Sequence, residues 1–268
     1  MSGVPDLATD FADFGPAQLS ATVIAVYLVM GEPFVGYVLH RRFEGRLRTD
    51  RAARRSFYRR LLVLEWGLAL LALVVWIAAP DVSAAQVGLV LPQRWPGLLT
   101  WLACAALLLL VLVSTRALRS GALAGPPPDA LRMTRPGEAR HAEPPGHSTL
   151  AVLPRSRSER RLFALVAVTA GICEEWLYRG FFLAVVAAVA PGQPSAGLVV
   201  VAAAAFGLAH AYQGLSGIVT TGVLGGVLAG VYLSTGSLLL PVLLHAAIDL
   251  RFLLVPSSAL PAARSAVR

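Results

Sequence analysis

The sequence predicts an all-α, polytopic transmembrane helical bundle of about seven spans, and three observations carry that expectation. Of 268 residues, 56% are hydrophobic and only 14% are charged, roughly half the charged share with which a soluble domain of this size covers its surface. The apolar residues come in blocks, and about 20 helical residues suffice to cross a hydrocarbon core of about 30 Å. The formal net charge is +8, every basic residue is Arg, and nearly all of them fall in 41–60 and 116–161, between apolar blocks. A disordered chain and most soluble enzymes are thereby excluded. Cation-rich loops report membrane orientation and attraction to anionic headgroups. Arginines gathered in loops between apolar spans answer to lipid before nucleic acid, which is not an expected partner.

The first span is expected over 19–39, with Glu32-Pro33 inside it, a costly pair unless it meets protein or water. The start of the chain carries Asp6, Asp10 and Asp13 and no basic residue, the wrong charge for a cleavable signal peptide. The first apolar block is therefore expected to be retained, and the Arg-rich loop up to Arg60 puts its far end in the cytoplasm and the N-terminus outside. Residues 61–79 return outward to Pro80-Asp81, and 97–114 come back in. These three spans form a first region, 1–115. The Pro- and Arg-rich stretch 116–161 is expected to be a flexible cytoplasmic linker.

A second region, 162–255, begins with an apolar run over 162–190, too long for one perpendicular span and so either tilted or broken near Gly180. A break would raise the count to eight. Spans over 197–211, 217–233 and 238–255 follow, leaving a cytoplasmic tail, 256–268, with Arg264 and Arg268. Gly222, Gly226 and Gly230 repeat every fourth residue, a strip against which another helix can pack closely. Cys104 and Cys173 lie within apolar blocks and suggest neither a disulfide nor a thiolate metal site.

Ionisable groups inside apolar spans are expensive and mark function by default. They concentrate in the last four spans: Glu174, Glu175 and Arg179, then His210, then His245 and Asp249. At 1.5 Å of rise per residue, Glu174 lies about 18 Å in from the cytoplasmic side, and His210, His245 and Asp249 about 20, 10 and 16 Å from the outer face. A shared buried site is thus geometrically open to them. Glu175 and Arg179 are i and i+4 in the favourable order for an ion pair and read as structural, which turns Glu174 about 100° away toward something else. His245 and Asp249 share a face, as do Phe206 and His210. Glu32, Glu65 and His40 have no partner that can be named and are read as structural. Trp176 and Tyr178 read as packing residues.

Glu174-Glu175-Trp176-Leu177-Tyr178-Arg179, Phe206-Gly207-Leu208-Ala209-His210 and His245-Ala246-Ala247-Ile248-Asp249 stand in that order on separate spans. Together they resemble the EExxxR, FxxxH and HxxxN/D motifs of the CAAX protease and bacteriocin-processing (CPBP) family of intramembrane proteases, over about 162–255. The resemblance implies an intramembrane endopeptidase acting on a hydrophobic or membrane-anchored peptide. In it, Glu174 works with His210 to activate water, and His245 and Asp249 polarise the carbonyl or stabilise the oxyanion. Glu175, Arg179 and Phe206 support them. An ionised Asp249 would repel an oxyanion, so it must be protonated, orient His245, or bind a metal. Glu174, His210, His245 and Asp249 are donors that zinc would accept. HExxH is absent, and metal-independent glutamate catalysis with no cofactor is the favoured expectation. The alternatives are a transporter's polar relay and a scaffold or immunity protein acting by binding. The Arg-only, Asn-free composition points to a GC-rich, bacterial genome and its plasma membrane.

Overall fold

The computed structural model describes residues 10–47, 49–50, 52–120 and 151–257, together with Leu7 and Leu260. Among these the chain is all-α, with seven helical runs and no strand. They are α1, Phe11–Arg46; α2, Ala53–Ile77; α3, Leu98–Arg119; α4, residues 157–189; α5, Ser195–Ala209; α6, Ala211–Thr235; and α7, Leu239–Leu250, which continues as the 3-10 turn Arg251–Leu254. Four of them, α1, α2, α3 and α6, are long and apolar enough to cross a membrane. Their outward faces carry the solvent signature of lipid: Leu99 on α3 is 82% exposed and Val63 on α2 is 73% exposed, an arrangement that water would penalise over so continuous a surface. The protein is an all-α helical membrane protein.

Both structural surprises are π-helical turns. In α4 the α-helix Arg157–Glu175 passes through a π turn, Trp176–Phe181, into a second α segment, Phe182–Val189. The long run is therefore neither broken nor split into two helices, and Gly180 lies inside the π turn, where a Cβ would come 2.8 Å from the Val87 carbonyl. In α1 the π turn is Tyr27–Gly31, directly ahead of Glu32-Pro33. In this register the carbonyl of Leu28 would look five residues on for its donor and meet Pro33, which has no N–H. The hydroxyl of Tyr178, itself in the α4 π turn, donates to that carbonyl at 3.3 Å. Tyr178 thus does more than pack: it fastens α4 to α1 at the defect that Pro33 creates.

Two tryptophans clamp α2 onto α4 in the same way. Trp66 Nε1 donates to Thr169 Oγ1 at 3.2 Å, and Trp176 Nε1 donates to the Ala69 carbonyl at 3.0 Å. The small residues Ala69 and Ala72 are buried between them. On the Arg-poor side, the loop between α2 and α3 caps the later helices. Leu238 N–H donates to the Gly88 carbonyl (3.0 Å), Gln93 N–H to the Thr235 carbonyl (3.1 Å) and Ser237 Oγ to the Val90 carbonyl (2.5 Å).

The linker expected over 116–161 is shorter than that: α3 runs to Arg119 and α4 begins at Arg157, capped by Ser156 and Glu159. Its centre, 121–150, lies outside the described residues, as do Arg264, Arg268 and most of the expected tail. At its far end, Ala151 and Val152 accept hydrogen bonds from Arg54 Nε (2.9 Å) and the Tyr58 hydroxyl.

The glycine strip joins α5 to α6 along part of its length. Gly222 approaches the Ala203 carbonyl and Gly207, and Gly226 approaches Ala203 and Val199, whereas a Cβ at Gly230 would meet nothing within 4 Å. Gly207 is tighter still, since a Cβ there would lie 2.7 Å from the Ile218 carbonyl. Gly207→Ala is therefore expected to force α5 off α6 and destabilise the protein by about 1–3 kcal/mol, read as a lowered thermal midpoint in detergent. An unchanged midpoint would contradict this packing.

Candidate active site

The polar groups converge where α4, α5 and α7 meet, against α1 and α2. Close approach of α4 and α7 depends on Gly171, where a Cβ would come within 2.9 Å of the Ala246 backbone nitrogen. One turn beyond it, Glu175 is fully buried and accepts from two neighbours through the same Oε1 atom: Arg179 Nη1 at 3.0 Å and His245 Nδ1 at 2.7 Å. Arg179, also fully buried, sends its Nη2 to the Gly225 carbonyl on α6 at 3.1 Å and lays its guanidinium over the Phe206 ring, 4.3 Å from the centroid. The guanidinium reaches Gly225 because there is no side chain in the way: a Cβ there would lie 3.2 Å from Arg179 Nη2.

With Nδ1 donated to Glu175, His245 turns Nε2 toward the other two carboxylates. Glu174 Oε2 and Asp249 Oδ2 each stand 3.8 Å from it. This is beyond a direct hydrogen bond, and a water touching both partners of either pair would sit to the side of the line between them. Glu174 Oε2 is buried and has no hydrogen-bond partner, although the side chain as a whole keeps 20% of its surface open. Asp249 keeps 31%.

His210 is placed differently from the mid-span residue of the sequence reading. The α5 helix has 15 residues, or about 22 Å, short of a hydrocarbon core of about 30 Å. His210 is its C-cap, where the chain turns directly into the 3-10 turn Ala211–Gln213 and then Gly214, whose φ of 79° requires glycine. His210 Nδ1 donates to the Phe206 carbonyl at 2.9 Å. A carbonyl only accepts, so the ring proton is on Nδ1 and a neutral ring keeps its lone pair on Nε2. The Phe206 ring bridges the two histidines, 4.8 Å from His210 and 5.8 Å from His245. Glu174, Glu175, His245 and Asp249 thus form one tight group, with His210 set across an aromatic ring from it.

Two residues read from sequence as structural belong beside this group. Glu65, on the α2 face clamped by Trp66 and Trp176, lies within electrostatic reach of Glu174, Asp249 and Glu32, and its Oε2 is buried without a partner. Glu32, just past the α1 π turn, shares a hydrogen bond with Tyr27 and lies within electrostatic reach of Glu174 and His210. Neither has an i+4 partner on its own helix, so spacing gave no hint of them. Their only signal was being a lone acid in an apolar span. His40 stays apart, 3.3 Å from Glu44 and packed on Tyr212 with ring centroids 4.9 Å apart.

Among the described residues no three His, Cys, Asp or Glu side chains are close enough to hold one metal ion. Of the expected donors Glu174, His210, His245 and Asp249, His245 has its Nδ1 already bound to Glu175.

Compared with known protein families, residues 157–251 match the family described as type II CAAX prenyl endopeptidase Rce1-like. Over this stretch the chain is similar to the Rce1-like family. The match runs from the first residue of α4 to the first of the 3-10 turn after α7, and so contains Glu174, Glu175, Arg179, Phe206, His210, His245 and Asp249. It is a family of peptidases. Glu32 and Glu65 lie outside the Rce1-like domain, on helices that pack against it. No curated protein and no solved structure matches the chain.

Proposed function

We propose that the protein is an intramembrane endopeptidase that hydrolyses a peptide bond of a hydrophobic or membrane-anchored peptide with water activated by Glu174 and His210. The observation that supports this most is the free, buried oxygen of Glu174 facing His245 Nε2 across 3.8 Å, inside a domain of a peptidase family. Water held beside those two atoms gives its proton to Glu174 as its oxygen adds to the carbonyl carbon. His245, its ring direction fixed by Glu175, offers Nε2 to the oxyanion that develops. Asp249 flanks that nitrogen and balances charge on the ring, and His210 Nε2 relays the proton to the departing amine. The chemistry is complete in carboxylates and imidazoles, and we favour catalysis without a metal cofactor. We likewise take the membrane to be a bacterial plasma membrane, supported by the Arg-only composition, with the N-terminus outside and the loops in the cytoplasm, supported by the Arg excess in 41–60 and 116–161.

The test is cleavage of a quenched hydrophobic peptide by the full chain in lipid vesicles. Activity is expected to survive a zinc chelator and to fall by about 10²-fold or more in His210→Ala. Loss of activity on chelation, restored by stoichiometric zinc, would overturn the metal-free mechanism. Full activity of His210→Ala would overturn the role of His210.

A further inference from the structure

A second feature lies on the Arg-rich side, away from the catalytic group. A cavity of about 590 Å³ opens between the end of α1 and the start of α2, lined by Leu39, Arg55, Ser56, Arg59, Arg60 and Val63 among others. On α2 the lining follows one helical stripe: positions 52, 55, 56, 59, 60 and 63 recur at intervals of three and four. Over that stripe, about 12 Å from Arg55 to Val63, the chemistry changes from guanidinium to aliphatic. Phe43 and Phe57 stack behind it at 4.5 Å, fixing the two helices against each other.

Among the described residues the arginines of this stripe make no ion pair, although Arg55 lies within electrostatic reach of Asp50. Asp50 is engaged by the Ala52 N–H and Arg46, which hold its carboxyl below the usual carboxylate range. Glu44 is engaged by His40 and Arg41. Arg54 points to the other side of α2 and donates to Ala151. Arg59 and Arg60 are exposed, and among the described residues no ion pair reaches Arg55, Arg59 or Arg60. Dispersed interfacial charge would need no cavity. Here, guanidinium groups without an ion-pair partner rim one whose lower wall is aliphatic and lipid-facing, and the two chemistries lie in the order in which a phospholipid presents its phosphate and its chains.

We propose that this cavity is a binding site for one anionic glycerophospholipid, its phosphate held by Arg55, Arg59 and Arg60 and its first acyl carbons lying on Leu39 and Val63. The site is independent of the peptidase reading.

Native mass spectrometry of the full chain, purified in neutral detergent and titrated with phosphatidylglycerol or phosphatidylcholine, tests it. Phosphatidylglycerol is expected to bind in preference, and Arg59→Gln/Arg60→Gln to weaken that binding by about tenfold or more. A charge-matched control, Arg116→Gln/Arg119→Gln at the exposed end of α3, is expected to leave it unchanged. Both pairs are exposed, so neither substitution removes a buried contact. Equal loss in the two variants would show dispersed charge rather than a site and would overturn the proposal, as would binding without preference for the anionic lipid. Displacement of the lipid by inorganic phosphate at equal concentration would overturn the lipid assignment in favour of a phosphate site.

Discussion

Glu174→Gln is expected to reduce peptide cleavage by about 10³-fold or more while leaving the bundle folded. General-base catalysis by a positioned carboxylate contributes about 10²–10⁴, and the loss reaches the upper part of that range because Glu32, Glu65 and Asp249 are held by other helices. Asp249 also stands 3.8 Å from His245 Nε2, but on α7 itself, and so does not take the place that Glu174 holds on α4. The fold survives for a separate reason. Glu174 Oε2 makes no hydrogen bond, so an amide of the same shape removes no contact, and the residue's neighbours in sequence, Cys173 and Glu175, keep the packing. Unchanged thermal stability with lost activity is the expected pair of results. Lost stability would mean that Glu174 holds the helices together rather than acting on water.

The opposite pattern is expected at the ion pair beside it. Arg179→Ala is predicted to destabilise the protein by about 3–5 kcal/mol, the range for breaking a buried ion pair from one side. The substitution strands Glu175, which is fully buried, without its cation and leaves the Gly225 carbonyl without its donor. It also removes the cation from the face of Phe206. Because Glu175 Oε1 also orients His245, the catalytic imidazole loses a fixed partner in the same step. Removing both charges is less damaging than removing one, so Glu175→Gln/Arg179→Met should unfold at a higher temperature than Arg179→Ala. Thermal unfolding of the three proteins in detergent measures this directly. A double variant no more stable than the single would show that the pair contributes through shape alone.

Much of this arrangement was legible in the sequence because membrane helices declare themselves by composition. All seven apolar runs are helices, and the Glu175–Arg179 contact follows from i, i+4 spacing. His210 was harder. Its depth was readable, but the helix end that exposes it depends on the reversal at Gly214, which resembles any other polar interruption. The π turns were not readable as such: the over-long run drew attention to Gly180 and Glu32-Pro33 to α1, but neither signal tells a π turn from a tilt, a break or a kink. The His245–Glu175 bond joins residues 70 apart and arises only when Gly171 lets α7 close on α4. Sequence spacing had instead paired His245 with Asp249, which stands farther off. Glu32 and Glu65 were passed over for a related reason: each is a single acid whose partners come from other helices. An isolated charge in an apolar span was the available signal, and its cost in lipid gave it weight even without a neighbour.

The central claim, that this group of residues cuts membrane-associated peptides, is tested most directly by mapping protein N-termini in membranes of the source cell. Three strains are compared: one with the intact protein, one lacking it, and one carrying Glu174→Gln at the same expression level. The account predicts a set of new N-termini, within or beside hydrophobic segments, present only with the intact protein and missing from both others. Termini that persist in the Glu174→Gln strain, or profiles identical in all three, would contradict it.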